Sequence, residues 1–225
     1  MGRNLYGIFV AGGSGTRMGT SVPKQFLELA GVPVLQRTIE KFYDALPGMT
    51  VITVLPQKHF EDWKSLCIRN SFNIPQILVS GGITRFHSVQ NALAHVPDGA
   101  VVMVHDGVRP LISPELVCAM AQRAQEVPAL IPVVPVVDTL KYKDGRFPDP
   151  QRSEIVGAQT PQCFWSEVLK DAYRQAYDPM FTDDASVVQA KRIPLSTMEG
   201  ERFNLKITTP EDLTLAEYLI STGRP

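Results

Sequence analysis

The sequence predicts an α/β protein with a Rossmann-like, mostly parallel sheet flanked by helices. Short apolar segments of strand length alternate with segments whose apolar residues recur at helical spacing. A glycine-rich segment at residues 12–15 directly follows the first predicted strand. The 225 residues, 44% of them hydrophobic, are enough to bury one full core. We therefore expect a single domain over residues 1–225.

The strands are predicted from short apolar segments, several of them bounded by glycine, proline or polar residues. In chain order they fall at residues 6–10, 49–55, 77–79, 100–104, 129–137, 193–198 and 203–207. In the last segment Asn204 and Lys206 alternate with Leu205 and Ile207, which is the two-residue period of a half-buried strand.

The helices are predicted from apolar residues at helical spacing and from capping residues. They fall at residues 33–46, 59–70, 88–95, 114–126, 164–177, 185–190 and 210–220. The polar residues 182–184 can cap the helix at 185–190. Pro210 suits the first turn of the last helix. Because strands and helices alternate, we expect helices on both faces of a mostly parallel sheet.

The segment at residues 138–157 is polar and turn-rich, and we predict that it projects from the domain as a β-arm. Residues 139–142 and 155–156 are candidate short strands around a turn at residues 143–145. An isolated hairpin is only marginally stable. We therefore expect the arm to pack against a second subunit and form a homodimer. The alternative is an ordinary flexible surface loop.

Composition and charge exclude several classes of protein. The formal net charge is -1, so no broad basic face for nucleic acid is expected. No apolar run approaches membrane-spanning length, and the N-terminal segment is a poor signal peptide, so no membrane partner is expected. The three cysteines lie far apart without metal-site spacing, which indicates reduced thiols in a cytoplasmic protein.

The glycine-rich segment predicts a cradle for a polyphosphate. Gly12, Gly13 and Gly15 allow a sharp turn and a close approach of the backbone to a ligand. Successive backbone N–H groups in such a loop form an anion-binding concavity. Arg17 and Lys24 add fixed positive charge. The alternative is a tight strand-to-helix turn with solvated side chains.

Two better-known phosphate cradles do not match this segment. A P-loop requires Gly-Lys-Ser/Thr after four intervening residues, and the chain has no such motif. A dinucleotide fingerprint requires a third glycine where the chain has Met18. It also requires an acidic residue after the second strand, where the chain has Pro56 and Gln57. Both alternatives lose support.

Taken in order, the motifs resemble those of sugar- and polyol-phosphate nucleotidyltransferases, and within them the polyol-phosphate cytidylyltransferases. The resemblance extends over nearly the whole chain, and the ordered set is more specific than any one motif. It is carried by the residues at 11–18, 23–26, 81–88, 104–110, 138–139, 158–162, 182–183 and 204–208.

The resemblance implies transfer of a cytidylyl group from CTP to a polyol phosphate, which gives a CDP-polyol and pyrophosphate. The nucleophile is a phosphate oxygen that is already ionised, so positioning and charge stabilisation suffice without a general base. Arg17, Lys24 and Lys206 are the implied catalytic residues. Mg²⁺ is the expected cofactor, held mainly by phosphate oxygens, with Asp106 as a candidate protein ligand.

The resemblance also implies which residues bind each substrate. The implied nucleotide-binding residues are Ala11, Gly12, Gly13, Ser14, Gly15, Gly82, Arg85 and Ser88. Position 83, where an acidic residue can occur in relatives, is Ile83. It is harmless if a backbone group contacts the base, whereas a need for a carboxylate would put the preference for CTP in doubt.

The implied acceptor-binding residues are Asp106, Arg109, Thr160 and Thr182, with Thr139 and Arg152 supplied by the arm of a partner subunit. Arg146 competes with Arg152 for the arm's arginine. His105, beside Asp106, is interpreted as a histidine that packs or hydrogen-bonds at a strand end rather than a catalytic one.

The acceptor remains open between 2-C-methyl-D-erythritol 4-phosphate, an intermediate of the non-mevalonate isoprenoid pathway, and ribitol 5-phosphate. Gly81, Gly82, Arg85 and the residues at 88–89 favour the former. A third hypothesis is a nucleotide-binding protein without catalysis. The joint presence of three cations, Arg17, Lys24 and Lys206, argues against it.

Overall fold

The structure, a computed structural model, describes residues 2–13 and 22–223. Its strands are β1 Leu5–Val10, β2 Glu28–Leu29, β3 Val32–Pro33, β4 Thr50–Leu55, β5 Gln76–Ser80, β6 Val101–Asp106, β7 Ala129–Pro135, β8 Val156–Ala158, β9 Gln162–Trp165 and β10 Ser196–Glu199. Its α-helices are α1 Val34–Ala45, α2 Phe60–Arg69, α3 Arg85–Leu93, α4 Pro114–Arg123, α5 Ser166–Ala172, α6 Asp184–Ala190 and α7 Pro210–Ser221. Short 3-10 turns cover Lys24–Phe26, Gln57–His59 and Arg152–Glu154.

Eight strands form one mixed sheet in the order β10-β7-β9-β6-β1-β4-β5, with β8 paired to β7. The pairs β1–β4, β1–β6, β4–β5 and β7–β10 are parallel, whereas β9 runs antiparallel to β6 and β7. The predicted Rossmann-like, mostly parallel sheet is therefore confirmed.

The sheet separates two apolar layers because neighbouring residues of a strand point to opposite faces. Phe9 of β1 packs with α1 and α4, where Phe42 and Met120 are fully buried. Ile8 packs with α3, where Val89 is fully buried. In the register of β1 and β6, Val10 pairs with Asp106. The end of β1 and the end of β6 therefore meet at the same edge of the sheet.

Two predicted elements proved wrong near the middle and the end of the chain. The helix predicted at residues 164–177 is divided into strand β9 and helix α5. The short apolar run that opens this segment fits a buried strand as well as a helix, and pairing with β6 and β7 decides for the strand. Residues 203–207 form no strand, since only Ile207 donates its N–H to a distant carbonyl, that of Val108.

The hairpin strands predicted for the arm are also wrong. Residues 139–142 form no strand, and β8 pairs antiparallel with β7 instead. Pro148 and Pro150 interrupt the returning segment because proline has no N–H to donate to a ladder. The turn itself is present: the N–H of Gly145 donates to the carbonyl of Tyr142 at 3.0 Å, and Gly145 has φ of +71°.

The remaining helices follow the predicted positions closely, and side chains account for their starts. Helix α3 begins three residues before the predicted one, at Arg85, because Thr84 accepts a hydrogen bond from the N–H of His87. Asp183 caps α6 in a capping box with Ser186. The longest helices have 12 residues, against about 20 needed to cross a bilayer. No described helix is long and apolar enough to span a membrane.

Candidate active site

A cavity of about 440 Å³ lies at the carboxyl ends of β1 and β6. Its described lining includes most of the predicted nucleotide-binding residues and two of the three predicted catalytic ones. The lining residues are Val10, Ala11, Gly12, Gly13, Lys24, Gln25, Gly82, Ile83, Thr84, Arg85, Ser88, Asp106, Val108 and Lys206. Ser14, Gly15 and Arg17 lie outside the described residues.

The backbone after β1 is fixed by contacts from both sides. The N–H of Ala11 donates to the carbonyl of Val54 at 2.9 Å. The amide Nε2 of Gln25 donates to the carbonyl of Ala11 at 2.9 Å, and Gln25 is only 1% exposed. Gln25 was not among the predicted site residues. The position of Gln25 directly after Lys24 in the same motif was the sequence signal that could have indicated its role at the site.

The loop before α3 requires glycine at position 82. A Cβ there would lie 2.4 Å from the Cβ of His87, far inside van der Waals contact. The N–H of Gly82 donates to Oγ of Ser88 at 3.0 Å, and Ser88 donates to the carbonyl of Thr84 at 2.9 Å. Ser88 therefore shapes the loop that forms one wall of the cavity.

Asp106 is the charged centre of the cavity. Its Oδ2 lies 3.0 Å from Nζ of Lys206 and 3.1 Å from Nε of Arg109, and its Oδ1 lies 3.9 Å from Nε of Arg85. Burial alone would raise the pKa of Asp106, but Arg85, Lys206 and Arg109 outweigh it and hold the pKa well below its usual range. The carboxylate is therefore ionised at any physiological pH.

The cavity presents an excess of positive charge. Among its described lining residues, Lys24, Arg85 and Lys206 are cationic and Asp106 alone is anionic. Nζ of Lys24 donates to the carbonyl of Ile207 at 3.3 Å, which brings the two predicted catalytic lysines to adjoining segments. Such an excess in a concave site attracts anions.

His105 and Thr160 support Asp106 from within the fold. The hydroxyl of Thr160 accepts the N–H of Asp106 at 3.1 Å and donates to Nδ1 of His105 at 3.0 Å. Nε2 of His105 donates to the carbonyl of Arg109 at 3.3 Å. Burial lowers the pKa of His105 to about 3, so its ring is neutral. The interpretation of His105 as a packed, hydrogen-bonded residue is confirmed, and Thr160 holds the strand end.

The other predicted acceptor-binding residues lie around the cavity rather than in its described lining. Arg109 joins Asp106 to the carbonyl of Asn204, to which its Nη1 donates at 2.8 Å. Thr182 is exposed and directly precedes Asp183, the cap of α6. The structure therefore gives Arg109 a bracing role and leaves Thr182 open to solvent.

The arm residues make local contacts within one chain. Thr139 is exposed, and Nη1 of Arg152 donates to the carbonyl of Val137 at 2.8 Å. The guanidinium of Arg146 lies 3.7 Å from the ring centroid of Tyr142. Arg152 lines a second depression of about 880 Å³ beside β7, β8 and β10. The fold of a single chain thus does not bring Thr139, Arg146 or Arg152 into the described lining of the cavity.

The donor set of the cavity suits a metal that arrives with phosphates. No group of three potential His, Cys, Asp or Glu ligands occurs within the described ranges. Asp106 is the single carboxylate in the described lining, and cations already surround it. A cage made wholly of protein side chains does not fit, whereas Mg²⁺ that keeps phosphate and water ligands does.

A Rossmann-like sheet with a glycine-walled, cationic cavity at the ends of its strands is typical of proteins that bind nucleotides through their phosphates, and the family match makes the class that of the nucleotidyltransferases. The family described as 2-C-methyl-D-erythritol 4-phosphate cytidylyltransferase (IspD) matches residues 5–222. The chain belongs to this family. The resemblance found in the motifs is therefore confirmed.

Proteins similar to this chain carry the same name. The 2-C-methyl-D-erythritol 4-phosphate cytidylyltransferase of Bacteroides thetaiotaomicron is 47% identical over 216 residues, which cover 95% of this chain and 98% of the relative. That of Phocaeicola vulgatus is 47% identical over 219 residues, covering 96% and 100%.

Solved structures similar to this chain include proteins of the same family. The 4-diphosphocytidyl-2C-methyl-D-erythritol synthase of Anaerococcus prevotii superposes with a TM-score of 0.83 at 25% identity, covering 98% of this chain and 100% of that one. The Thermus thermophilus 2-C-methyl-D-erythritol 4-phosphate cytidylyltransferase has a TM-score of 0.75 at 31% identity, covering 97% and 99%.

Proposed function

We propose that this chain transfers the cytidylyl group of CTP to 2-C-methyl-D-erythritol 4-phosphate. An oxygen of the acceptor phosphate forms a bond to the α-phosphorus of CTP. The bond from that phosphorus to the oxygen bridging the α- and β-phosphates breaks, and pyrophosphate leaves with the bonding electrons. The products are 4-CDP-2-C-methyl-D-erythritol and pyrophosphate. The observation that carries the proposal is the meeting of Lys24, Asp106 and Lys206 at one cavity in a member of this family.

The lysines account for the catalysis that we propose. The nucleophile is already anionic, so the barrier lies in bringing two phosphates together and in stabilising charge on the leaving group. Lys24 and Lys206 supply two positive charges at the cavity, and Asp106 orients Lys206 at 3.0 Å. Arg17, from the same glycine-rich motif, is proposed as a third cation for the triphosphate.

Recognition of cytosine is proposed for the backbone around Gly82. The loop is held closed by Ser88 and leaves no room for a side chain at position 82, so its backbone can approach a flat base closely. The side chain of Ile83 is 96% exposed at the cavity. Its apolar character therefore does not compromise the proposed backbone contact.

For the acceptor, we propose contacts from Asp106, Arg109 and Thr182, completed by Thr139 and Arg152 of a partner subunit in a homodimer. The support is geometric: Arg152 donates to the carbonyl of Val137 rather than to any residue of the cavity lining, and it borders a large depression that another chain could fill. Mg²⁺ is proposed to arrive with CTP and, near Asp106, to neutralise charge on the phosphates.

A cytoplasmic location and a place in the non-mevalonate isoprenoid pathway complete the proposal. All three cysteines are free in the structure, which is compatible with a reducing compartment. The pathway follows from the proposed acceptor and product.

The proposal is tested by pyrophosphate release with CTP and each acceptor separately. We expect turnover with 2-C-methyl-D-erythritol 4-phosphate and little with ribitol 5-phosphate. Turnover with ribitol 5-phosphate alone would reassign the acceptor. CTP binding by calorimetry without pyrophosphate release from either acceptor would favour a non-catalytic nucleotide-binding protein.

A further inference from the structure

A buried ion pair lies behind the cavity. Nη2 of Arg85 lies 2.6 Å from Oδ2 of Asp184, whose side chain is fully buried. The hydroxyl of Tyr173 donates to the other oxygen, Oδ1 of Asp184, also at 2.6 Å. Arg85 thus spans two carboxylates, Asp184 inside the fold and Asp106 at the cavity, the latter at 3.9 Å.

The contacts of Asp184 compensate for its burial and hold it in place. A buried carboxylate is costly unless a cation and hydrogen bonds compensate it, and Asp184 has both. Burial and the nearby Asp184 carboxylate raise the pKa of Tyr173 well above its usual value, so its hydroxyl remains a donor. The carboxylate of Asp184 is therefore held facing Arg85 by an ion pair and a hydrogen bond.

The start of α6 anchors this charge to the sheet. Nε2 of Gln162 donates to Oδ2 of Asp183 at 2.7 Å, and the N–H of Ala185 donates to Oε1 of Gln162 at 2.9 Å. The residue between them, Asp184, is thereby held against β9. Asp183 alone serves as the cap, so Asp184 is not needed for capping.

We propose that Asp184 is a positioning residue for the cavity, because it holds the Arg85 guanidinium away from Asp106. Arg85 lies 3.9 Å from Asp106, whereas Lys206 and Arg109 lie at 3.0 and 3.1 Å. With Asp184 neutralised, Asp106 is the carboxylate that the ion pairs of the described residues leave to Arg85. The guanidinium then turns to Asp106 and competes with Lys206 for its Oδ2.

The inference rests on the proposed role of Lys206 in cytidylyl transfer. Its kinetic test is the Asp184→Asn variant, in which the amide oxygen can still accept from Tyr173 but the charge is gone. We expect kcat to fall by about ten- to a hundredfold, since displacement of a catalytic group by about 1 Å has that effect. Tyr173→Phe is the matched control. It removes the other contact of Asp184 and keeps its charge, so kcat should stay within about twofold.

A double variant separates positioning from a general structural effect. Because Asp184 acts through Arg85, adding Asp184→Asn to Arg85→Gln should lower kcat/KM no further than Arg85→Gln alone. Losses that multiply would overturn the proposal. If Asp184→Asn alone does not fold, this comparison still decides, since the double variant contains no unpaired guanidinium. Urea unfolding of each variant separates lost stability from lost activity.

A crystal structure of Asp184→Asn tests the geometry whatever substrate the enzyme uses. The proposal expects the Arg85 guanidinium in direct contact with Asp106 and the ammonium of Lys206 displaced from it. An Arg85 side chain that stays in its original position would overturn the inference. Failure of the wild-type chain to release pyrophosphate would instead refute the proposed function and leave this structural result standing.

Discussion

The cavity and the arm at residues 138–157 hold their charged side chains in opposite ways. At the cavity each cation has a partner from a distant element: Lys206 meets Asp106, and Lys24 meets the carbonyl of Ile207. In the arm the partners come from the same or an adjoining stretch of chain: Nη1 of Arg152 donates to the carbonyl of Val137, 15 positions earlier, and Lys141 pairs with Asp149. The fold of one chain therefore fixes the cavity. In the proposed homodimer, the arm would contribute to the acceptor site of the partner subunit.

The largest effect should come from removing a cation of the cavity. Lys206→Ala should lower kcat about 100- to 1000-fold, because one preorganised electrostatic contact to the transition state has that value. Pyrophosphate release with saturating CTP and acceptor measures it. Lys64→Ala removes an exposed lysine that pairs with Glu61 on the same helix, and it should leave kcat unchanged. A near-normal kcat in Lys206→Ala would contradict the proposal that this cavity is the active site.

A smaller effect, confined to the acceptor, should come from the arm. Arg152→Ala should raise KM for the polyol phosphate about ten- to a hundredfold, the value of one charged hydrogen bond, with KM for CTP unchanged. Arg146→Ala is the matched control in the same segment and should change neither constant by more than about twofold. The reverse outcome would transfer the role to Arg146.

Mixing variants tests whether the arm acts across subunits. Coexpressed Arg152→Ala and Lys206→Ala chains should regain about a quarter of wild-type activity at low acceptor concentration, since half of randomly paired dimers contain one intact site of two. No recovery of activity, or a fully active monomer in sedimentation, would contradict the shared acceptor site. The arm would then act within its own chain, as the residues of the cavity do.

The fourth prediction concerns the free energy of unfolding, because buried groups support the cavity whereas exposed groups make up the arm. The folded pKa of His105, about 3, lies below its unfolded value of 6.5, so the unfolded chain is protonated first as pH falls. The free energy of unfolding should decline below about pH 6.5. From pH 8 to pH 5 this decline should be about 2 kcal/mol smaller in His105→Gln than in wild type.

Urea unfolding at the two pH values measures this difference. His95→Gln replaces an exposed histidine and should keep the wild-type pH dependence. A His105→Gln chain with the same pH dependence as wild type would mean that folding does not lower the pKa of His105.

The smallest effect is expected at the rim of the cavity, where a side chain is as exposed as those of the arm. Ile83→Asp should change the ratio of kcat/KM for CTP over UTP by less than about threefold, since surface substitutions rarely exceed about 0.5 kcal/mol. Competition between the two nucleotides measures the ratio. A tenfold gain in selectivity would show that a carboxylate, not the backbone, reads the base.

Sequence reasoning succeeded where the signal is local. Glycine at position 82, the strand end at Asp106 and the motif around Lys24 each occupy a few consecutive residues, and all three line the cavity. Sequence reasoning failed where the pairing of a segment with a distant strand determines its structure. The arm at residues 139–142 has residues compatible with a strand but no partner strand.

The same limit applies to side chains that act at a distance. In the sequence, Asp184 is indistinguishable from a helix-capping residue. Its pairing with Arg85, 99 positions earlier, emerges only when α3 and α6 pack on one face. A pair so far apart leaves no mark on local composition or spacing, so a single sequence could not predict it.

Lys206 enters the cavity from a segment that follows every described strand, the last of which ends at Glu199. Several contacts attach that segment, among them the hydrogen bond from Arg109 to the carbonyl of Asn204 at 2.8 Å and that from Lys24 to the carbonyl of Ile207 at 3.3 Å. On the ribosome, the whole sheet is therefore synthesised before the lysine appears. If Lys206 is catalytic, as proposed, a nascent chain that already carries Asp106 becomes competent for cytidylyl transfer only after residue 206 has emerged.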